Sequence, residues 1–222
     1  MECPICKSKT KELLKVPFGK NCESMPIKDH KQISYHQCSE CRYIFAPEFL
    51  SWTENDFKKK IYNDEYEIYD PEFRYKRPYH SMLDLYNEFK GKKHLDYGGG
   101  NGMLSQLLND REFNSTSYDI FYHNDRPKEK FDIVTCIEVI EHSIDPLKIF
   151  DDIKSLLKDN GKLIISTLIM DYIKNINDHW YISPRNGHIG FYFTKTLRTI
   201  ADISGYKYIE DTHTTKKEFI KL

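Results

Sequence analysis

The stretch "HLDYGGGNGMLSQLL", residues 94–108, predicts a turn where an apolar strand passes into a short helix. Glycines occupy positions 98, 99, 100 and 102 of this turn. Glycine lets the backbone adopt turn conformations and approach a bound group closely. Backbone amides at the start of a helix are a common way to hold a nucleotide-like ligand. We therefore expect a ligand site at this turn.

From residue 92 onward the sequence alternates between strand and helix patterns. The strand-like segments are "KHLDYG" (93–98), "STSYDI" (115–120), "FDIVTCI" (131–137) and "GKLIISTL" (161–168). Helices are predicted over 102–109, over 146–158 after Pro146, and over 194–204 before Gly205. A further helical pattern over 79–91 ends at Gly91. This alternation predicts an α/β fold with a mostly parallel sheet and a ligand crevice at the carboxyl ends of its strands.

The glycine spacing excludes two common kinds of nucleotide site. A P-loop needs Gly-Lys-Ser/Thr where this chain has "NGML", and the G-x-G-x-x-G fingerprint fails because Gly102 follows Gly100 after a single residue. Asp119, at the end of the next strand in "SYDIF", is placed to accept hydrogen bonds from ribose hydroxyls. Asp96 can accept from amide or amino donors at the same edge of the sheet.

Four of the six cysteines form two C-x-x-C pairs, Cys3 with Cys6 and Cys38 with Cys41. This spacing predicts a tetrahedral four-thiolate zinc site, and because four thiolates fill the coordination shell the metal should be structural. Two alternatives are ordinary buried cysteines and a redox pair, the latter disfavoured because no βαβ pattern surrounds either motif. Lys7 and Arg42 follow the pairs, where glycine would most easily take a left-handed turn.

Composition restricts the partners of the protein. Lys and Arg total 33 against 34 Asp and Glu in 222 residues, so there is no basic excess to attract a nucleic acid. The longest apolar run, residues 163–170, is too short to span a bilayer, and "MECPIC" lacks a signal-peptide pattern. We therefore expect a cytoplasmic protein, and the charge balance disfavours a nucleic-acid substrate.

Several motifs together resemble those of class I S-adenosylmethionine (SAM)-dependent methyltransferases, in particular the small-molecule group with an N-terminal zinc ribbon. The matching segments are "LDYGGGNG" (95–102), "SYDIF" (117–121), "FDIVTCIEVIEHSIDP" (131–146), "NGKLIIST" (160–167) and "HWYISPRNGHIGFYFTKTLRTIADISGYK" (179–207). The resemblance implies a Rossmann-like domain over 92–222, a connector with helices over 47–91 and a zinc ribbon over 1–46. The sequence departs from the family pattern after Asp119, because only eleven residues separate Asp119 from "FDIVT". The usual helix and strand there should be reduced or missing.

The resemblance also implies which residues contact SAM. They are Asp96, Gly98, Gly99, Gly100, Gly102, Asp119, Ile120, Phe121, Ile137 and Glu138. Phe121 would cover the adenine ring by stacking or would only pack on an edge strand.

Methyl transfer from a sulfonium needs an aligned acceptor and, for an alcohol, a proton acceptor. The candidate bases are His142, His179 and His188. If a helix begins near the end of the strand-like segment 131–137, Glu138, Glu141 and His142 share one face, and with His188 they form a partial ligand set for Mg²⁺. The alternatives are that His142 acts alone as a base or orienting group, or that Glu141 and His142 merely begin a helix.

The sequence therefore predicts methyl transfer from SAM to a small polar metabolite, with oxygen favoured over nitrogen and carbon as the acceptor atom. A sugar or nucleotide-linked sugar of surface-polysaccharide biosynthesis is an acceptor suggested by resemblance alone. Three other hypotheses remain: an RNA or protein methyltransferase, a non-catalytic nucleotide-binding zinc scaffold, and a nicotinamide-dependent oxidoreductase.

Overall fold

The computed structural model describes residues 1–209 and 216–222. The strands in these ranges are β1 (Thr10–Pro17), β2 (Gln32–Cys38), β3 (Ile44–Phe45), β4 (Lys93–Tyr97), β5 (Asn114–Tyr118), β6 (Phe131–Ile137), β7 (Leu157–Ser166), β8 (Gly190–Phe191), β9 (Tyr206–Ile209) and β10 (Lys216–Lys221). The α-helices are α1 (Glu54–Lys60), α2 (Tyr66–Tyr69), α3 (Lys76–Leu85), α4 (Met103–Asn109), α5 (Pro146–Leu156) and α6 (Thr194–Ser204). None of the helices in this part of the chain combines the length and apolar content that a membrane crossing requires.

The chain divides into two compact units, each built from several segments. The first unit comprises residues 1–71, 140–146 and 168–200, and the second comprises 72–139, 147–167 and 201–222. The predicted division into a ribbon, a connector and a catalytic domain is continuous along the sequence, whereas both observed units are discontinuous.

The second unit contains a six-stranded sheet in the order β5-β4-β6-β7-β10-β9. Strands β5, β4, β6 and β7 are parallel, and β10 pairs antiparallel with β7 and β9. Strand β6 contributes four fully buried apolar side chains, which is typical of a strand covered on both faces: Phe131, Ile133, Val134 and Cys136. The α/β fold class with a mostly parallel sheet is confirmed.

Helices α3 and α4 pack on this sheet through one apolar cluster. Met82 and Leu85 of α3 meet Leu104 and Leu108 of α4, and all four are buried. The predicted helix over 79–91 is α3 followed by a turn of 3₁₀ helix at Tyr86–Phe89, and Gly91 then takes a left-handed φ of +68°. Helix α6 has the predicted bounds, whereas α5 ends two residues early because β7 already begins at Leu157.

Strand β5 lies at the edge of the sheet because no helix or strand stands between Tyr118 and Phe131. The predicted loss of these elements is confirmed. The Asn109 side chain covers part of the open edge: its amide donates to the Ser115 carbonyl and accepts from the Ser115 N–H, both at 2.9 Å. One further bridge, between Asp119 and His123, covers the end of the strand. These contacts occupy backbone groups that would otherwise be available for pairing with another strand.

The first unit contains an antiparallel sheet in the order β1-β2-β3-β8. The cysteine pairs lie at the ends of its N-terminal strands, as expected of a ribbon, but β8 comes from residues 190–191. Aromatic side chains fill its core, where the Tyr43 and Phe45 rings stack with centroids 5.7 Å apart. A small ribbon gains apolar burial in this way from the late part of the chain.

Candidate functional site

The glycine turn that follows β4 contains three left-handed residues. Gly98, Gly100 and Gly102 have φ values of +72°, +55° and +78°. A Cβ on Gly98 would lie 2.6 Å from Val139 Cγ2, and one on Gly99 would lie 2.4 Å from Asp96 Oδ2. A Cβ on Gly100 would have no atom within 4 Å. Packing within the protein therefore requires glycine at 98 and 99, whereas Gly100 presents its bare backbone to open space.

Asp119 anchors this turn through its carboxylate. Its Oδ2 accepts a hydrogen bond from Gly100 N–H at 3.0 Å, and its Oδ1 accepts from the N–H groups of Phe121 and Tyr122 at 2.7 and 3.2 Å. The side chain is 9% exposed. A carboxylate offers about four lone-pair positions, so these three bonds leave capacity for a ligand hydroxyl. The neighbouring Ile120 is exposed and Phe121 is partly buried.

Asp96 is 4% exposed and accepts a hydrogen bond from the Thr135 hydroxyl at 2.8 Å. Burial raises the pKa of Asp96 to about 7, and the negative charge of Asp119 acts in the same direction. The carboxyl therefore changes its charge near neutral pH. A cationic ligand beside it would favour the ionised form.

Glu138 ends strand β6 in a left-handed conformation with φ of +52°. Its N–H donates to the Ser166 carbonyl at 2.9 Å, and its Oε1 accepts from the Ser166 hydroxyl at 3.0 Å. A left-handed non-glycine residue costs on the order of 1 kcal/mol and such residues concentrate at functional sites. After this break the chain forms a single 3₁₀ turn, Ile140–His142, and not the α-helix on whose face Glu138, Glu141 and His142 were expected.

The first unit brings together Glu141, His142 and His188, whose ligand atoms lie within 4.8 Å of one another. Glu141 is fully buried, and the Tyr181 hydroxyl donates to its Oε1 at 2.7 Å. A buried carboxylate needs such a donor because desolvation disfavours its charge. Tyr181 was not identified from the sequence, since no spacing relative to "EVIEH" marks it.

The two histidines of this cluster have defined orientations. His142 Nδ1 donates to the Gly187 carbonyl at 3.1 Å, and His188 Nδ1 donates to the Tyr181 carbonyl at 2.8 Å. Each neutral ring therefore carries its lone pair on Nε2. Two imidazoles and a carboxylate suit zinc, manganese or iron better than magnesium, which prefers oxygen ligands, and three ligands leave coordination positions open.

His179, the third histidine predicted to be catalytic, is not among the residues of this cluster. Its Nδ1 accepts the Tyr181 N–H at 3.2 Å, and its carbonyl accepts from Lys20 Nζ at 3.0 Å. Partial burial, with the Lys20 charge, lowers the pKa of His179. These contacts give it a role in holding the loop.

The four ribbon cysteines converge as their spacing predicts. Sγ of Cys3 lies 3.6 Å from that of Cys41, and Sγ of Cys6 lies 3.4 Å from that of Cys38. A tetrahedral zinc with Zn–S bonds of about 2.3 Å places its sulfurs about 3.8 Å apart, so the cysteines fit this ion. The Cys41 thiol lowers the pKa of Cys3 to about 5, which favours the thiolate. Lys7 and Arg42 take the left-handed knuckle turns with φ of +61° and +65°.

The family model described as a methyltransferase domain matches residues 71–211. The chain belongs to the class I SAM-dependent methyltransferases. A relative named ubiquinone biosynthesis O-methyltransferase, from Actinobacillus pleuropneumoniae serotype 7 (strain AP76), is 33% identical over 112 residues, covering 37% of this chain and 48% of the relative. A protein of the same name from Coxiella burnetii (strain Dugway 5J108-111) is 27% identical over 167 residues, covering 59% and 71%. This methyltransferase spans about half the length of the first relative.

A solved structure supports the same fold. The 1,6-didemethyltoxoflavin-N1-methyltransferase of Burkholderia thailandensis, with bound 1,6-didemethyltoxoflavin and S-adenosylhomocysteine, has a TM-score of 0.54 at 13% identity. The match covers 82% of this methyltransferase and 97% of that chain. The four cysteines lie outside the residues that the family model matches.

Proposed function

We propose that this protein transfers a methyl group from SAM to an oxygen atom of a small polar molecule. The main support is the glycine turn of the methyltransferase domain. There the backbone of Gly100 faces open space, and the Asp119 carboxylate beside it holds the turn. The relatives named O-methyltransferases support oxygen as the acceptor atom.

The second unit supplies the residues that would hold SAM, which brings a methyl group already activated on a sulfonium. The bare backbone at Gly100 allows a close approach, Asp119 offers its remaining acceptor capacity to ribose hydroxyls, and Asp96 offers an acceptor to the ammonium group. Ile120, Phe121, Ile137 and Glu138 remain predicted contacts of SAM.

The first unit supplies the residues for the acceptor. His142 is held through its Nδ1 by the Gly187 carbonyl, so Nε2 is the atom that would take the hydroxyl proton. The buried Glu141 carboxylate stabilises the imidazolium that this transfer creates. The same cluster would hold a divalent cation, which would lower the pKa of a coordinated acceptor hydroxyl. Its nitrogen-rich donor set favours manganese or zinc over the magnesium suggested by the sequence motif.

The chemical class of the acceptor follows from the relatives only in part. Their printed name assigns O-methylation in ubiquinone biosynthesis to those proteins. The sugar-linked acceptor rests on resemblance alone and gains no support from them. The ribbon cysteines would hold one structural zinc, and their closed coordination keeps that ion out of the reaction.

Ligand-dependent melting tests the cofactor, and product formation tests the reaction. SAM should raise the Tm of the protein, because a ligand that binds only the folded state stabilises it, and NAD should leave the Tm unchanged. S-adenosylhomocysteine should then accumulate with one member of a panel of hydroxylated aromatics and nucleotide sugars. A Tm that responds to NAD and not to SAM would overturn the proposal.

A further inference from the structure

A continuous chain of hydrogen bonds crosses the interior of the second unit. Ser105 Oγ and Ser115 Oγ are 2.9 Å apart, and Ser115 Oγ lies 2.7 Å from His94 Nδ1. His94 Nε2 lies 2.9 Å from Thr135 Oγ1, which lies 2.8 Å from Asp96 Oδ1. All five side chains are at most 9% exposed. Packing alone does not call for five linked polar groups in the centre of a sheet.

The two ends of the chain lie in different surroundings. Ser105 and Ser115 line a surface groove of about 440 Å³ together with Gln106 and His123. The other end is Asp96, which lies against the glycine turn. The chain therefore connects a surface groove with a buried carboxyl.

His94 can join the two ends only as a neutral ring. Burial lowers the pKa of His94 to about 3, and the Phe89 ring packs against the imidazole with centroids 4.6 Å apart. A neutral imidazole has one N–H and one lone pair. When Asp96 is ionised, Thr135 donates to it and must accept from His94, so the proton is on Nε2. When Asp96 is protonated on Oδ1, the Thr135 hydroxyl accepts from it, every other bond reverses and the His94 proton is on Nδ1.

We propose that these five side chains form a proton relay, in which His94 changes its tautomer as Asp96 gains or loses its proton. In the uptake direction a hydronium ion in the groove gives a proton to Ser105 Oγ and is left as water, and Ser105 passes its own proton to Ser115. Ser115 passes its proton to His94 Nδ1. The Nε2 proton moves to Thr135, and the Thr135 proton moves to Asp96. One proton enters, one carboxylate becomes a carboxylic acid, and every other group keeps its proton count.

The relay makes His94 a positioning residue for the cofactor side of the proposed reaction. Asp96 faces the hydroxyl of Thr135 on β6, and the charge acting on it is that of Asp119 at the end of β5. The two ring nitrogens of His94 pair with hydroxyls, Ser115 on β5 and Thr135 on β6, and the Phe89 ring packs against the imidazole. Arrival of a cationic ligand should expel the Asp96 proton, and the relay provides its path.

The direct test is a ¹⁵N NMR titration of the histidine ring nitrogens in the full-length protein without SAM. His94 should stay neutral between pH 5 and pH 9, while its N–H moves from Nε2 to Nδ1 as the pH falls, with a midpoint near the pKa of about 7 for Asp96. Thr135→Val keeps the shape of the side chain but breaks the chain beside Asp96, so its His94 should hold one tautomer throughout. Asp96→Asn should do the same.

Three outcomes would overturn the relay. They are one fixed tautomer in the wild type, conversion of His94 to imidazolium within this range, and a tautomer change that persists in a folded Thr135→Val protein. Calorimetry of SAM binding at pH 6.5 in two buffers measures the protons released on binding. It therefore tests the relay separately from the proposed function, which places Asp96 at the cofactor. A tautomer change without proton release on SAM binding would support the relay and count against that placement.

Discussion

The glycine turn of the second unit and the histidine cluster of the first unit are built in different ways. The turn connects two regular elements, β4 and α4, and its glycines are fixed by contacts with neighbouring strands. The cluster stands on a 3₁₀ turn and on the loop around Gly187, held by single hydrogen bonds such as Tyr181 to Glu141. Loops tolerate variation that sheets do not. The turn therefore suits the proposed cofactor site, and the cluster suits the proposed acceptor site.

This difference predicts separable effects of mutation. Changes in the first unit should alter its folding or the rate of methyl transfer, whereas changes at the glycine turn should alter SAM affinity.

The largest expected effect is that of Cys38→Ser. The purified protein should carry about one tightly held zinc per chain, and the variant should lose it together with several kcal/mol of stability, because a four-thiolate site supplies the folding energy of a small segment. Metal analysis and thermal melting measure both. Cys136→Ala removes a cysteine from β6 and should keep the zinc. A Cys38→Ser protein with unchanged melting would contradict a structural zinc.

Gly100→Val should abolish SAM binding, since a branched side chain would fill the space through which SAM must approach the backbone of residue 100. Gly91→Val is the matched control: Gly91 also has a left-handed φ and no atom within 4 Å of an added Cβ. Both variants therefore bear similar backbone strain. Thermal shifts with SAM compare them, and equal responses would mean that the cofactor is misplaced.

His142→Ala should lower turnover by about 100-fold or more, the usual size of a general-base effect. His30→Ala, an exposed histidine of the same unit, should retain wild-type turnover. If the cluster holds a cation, a chelator should also stop turnover and added manganese should restore it. Wild-type turnover by the His142→Ala protein would remove every catalytic role for this side chain.

The smallest effect concerns Asp96→Asn and its dependence on pH. The pKa of Asp96 in the folded state, about 7, lies above its ordinary 3.8, so the wild type loses stability as pH rises between these values. The neutral variant avoids this loss, and its Tm should exceed that of the wild type by about 5 °C at pH 8 and by about 2 °C at pH 5.

Asp132→Asn is the control of opposite sign. Lys158 lowers the pKa of Asp132, so this carboxylate stabilises the fold above its unfolded pKa, and the stabilisation is lost as pH falls. Its replacement should lower the Tm at pH 8. An Asp96→Asn protein that behaves in the same way would show that burial does not penalise the Asp96 charge.

Strands and helices were predictable from sequence where neighbouring residues of one element lie in the same kind of environment. Strand β6 and helix α6 have the predicted bounds, since a short, mainly apolar segment and a helical pattern closed by Gly205 leave no competing arrangement. The cysteine pairs converge as their spacing predicts.

Features that depend on residues far apart in sequence were not predictable. Strand β8 joins the ribbon sheet through two residues, too few for a periodic signal. The helix expected after β6 is replaced by the left-handed Glu138, whose conformation is fixed by Ser166 on another strand. In the sequence, His94 has the pattern of an ordinary strand residue. Only the fold shows that Ser115 and Thr135 lie on either side of its ring.

The most direct test of this separation is a calorimetric titration of SAM into the His142→Ala protein, with the wild type and Gly100→Val in parallel. We predict that His142→Ala binds SAM within about twofold of the wild-type Kd, because His142 is proposed to act on the acceptor and not on SAM, while Gly100→Val shows no binding. A loss of SAM affinity in His142→Ala as large as that in Gly100→Val would contradict the assignment of cofactor binding to the second unit and of proton removal to the first.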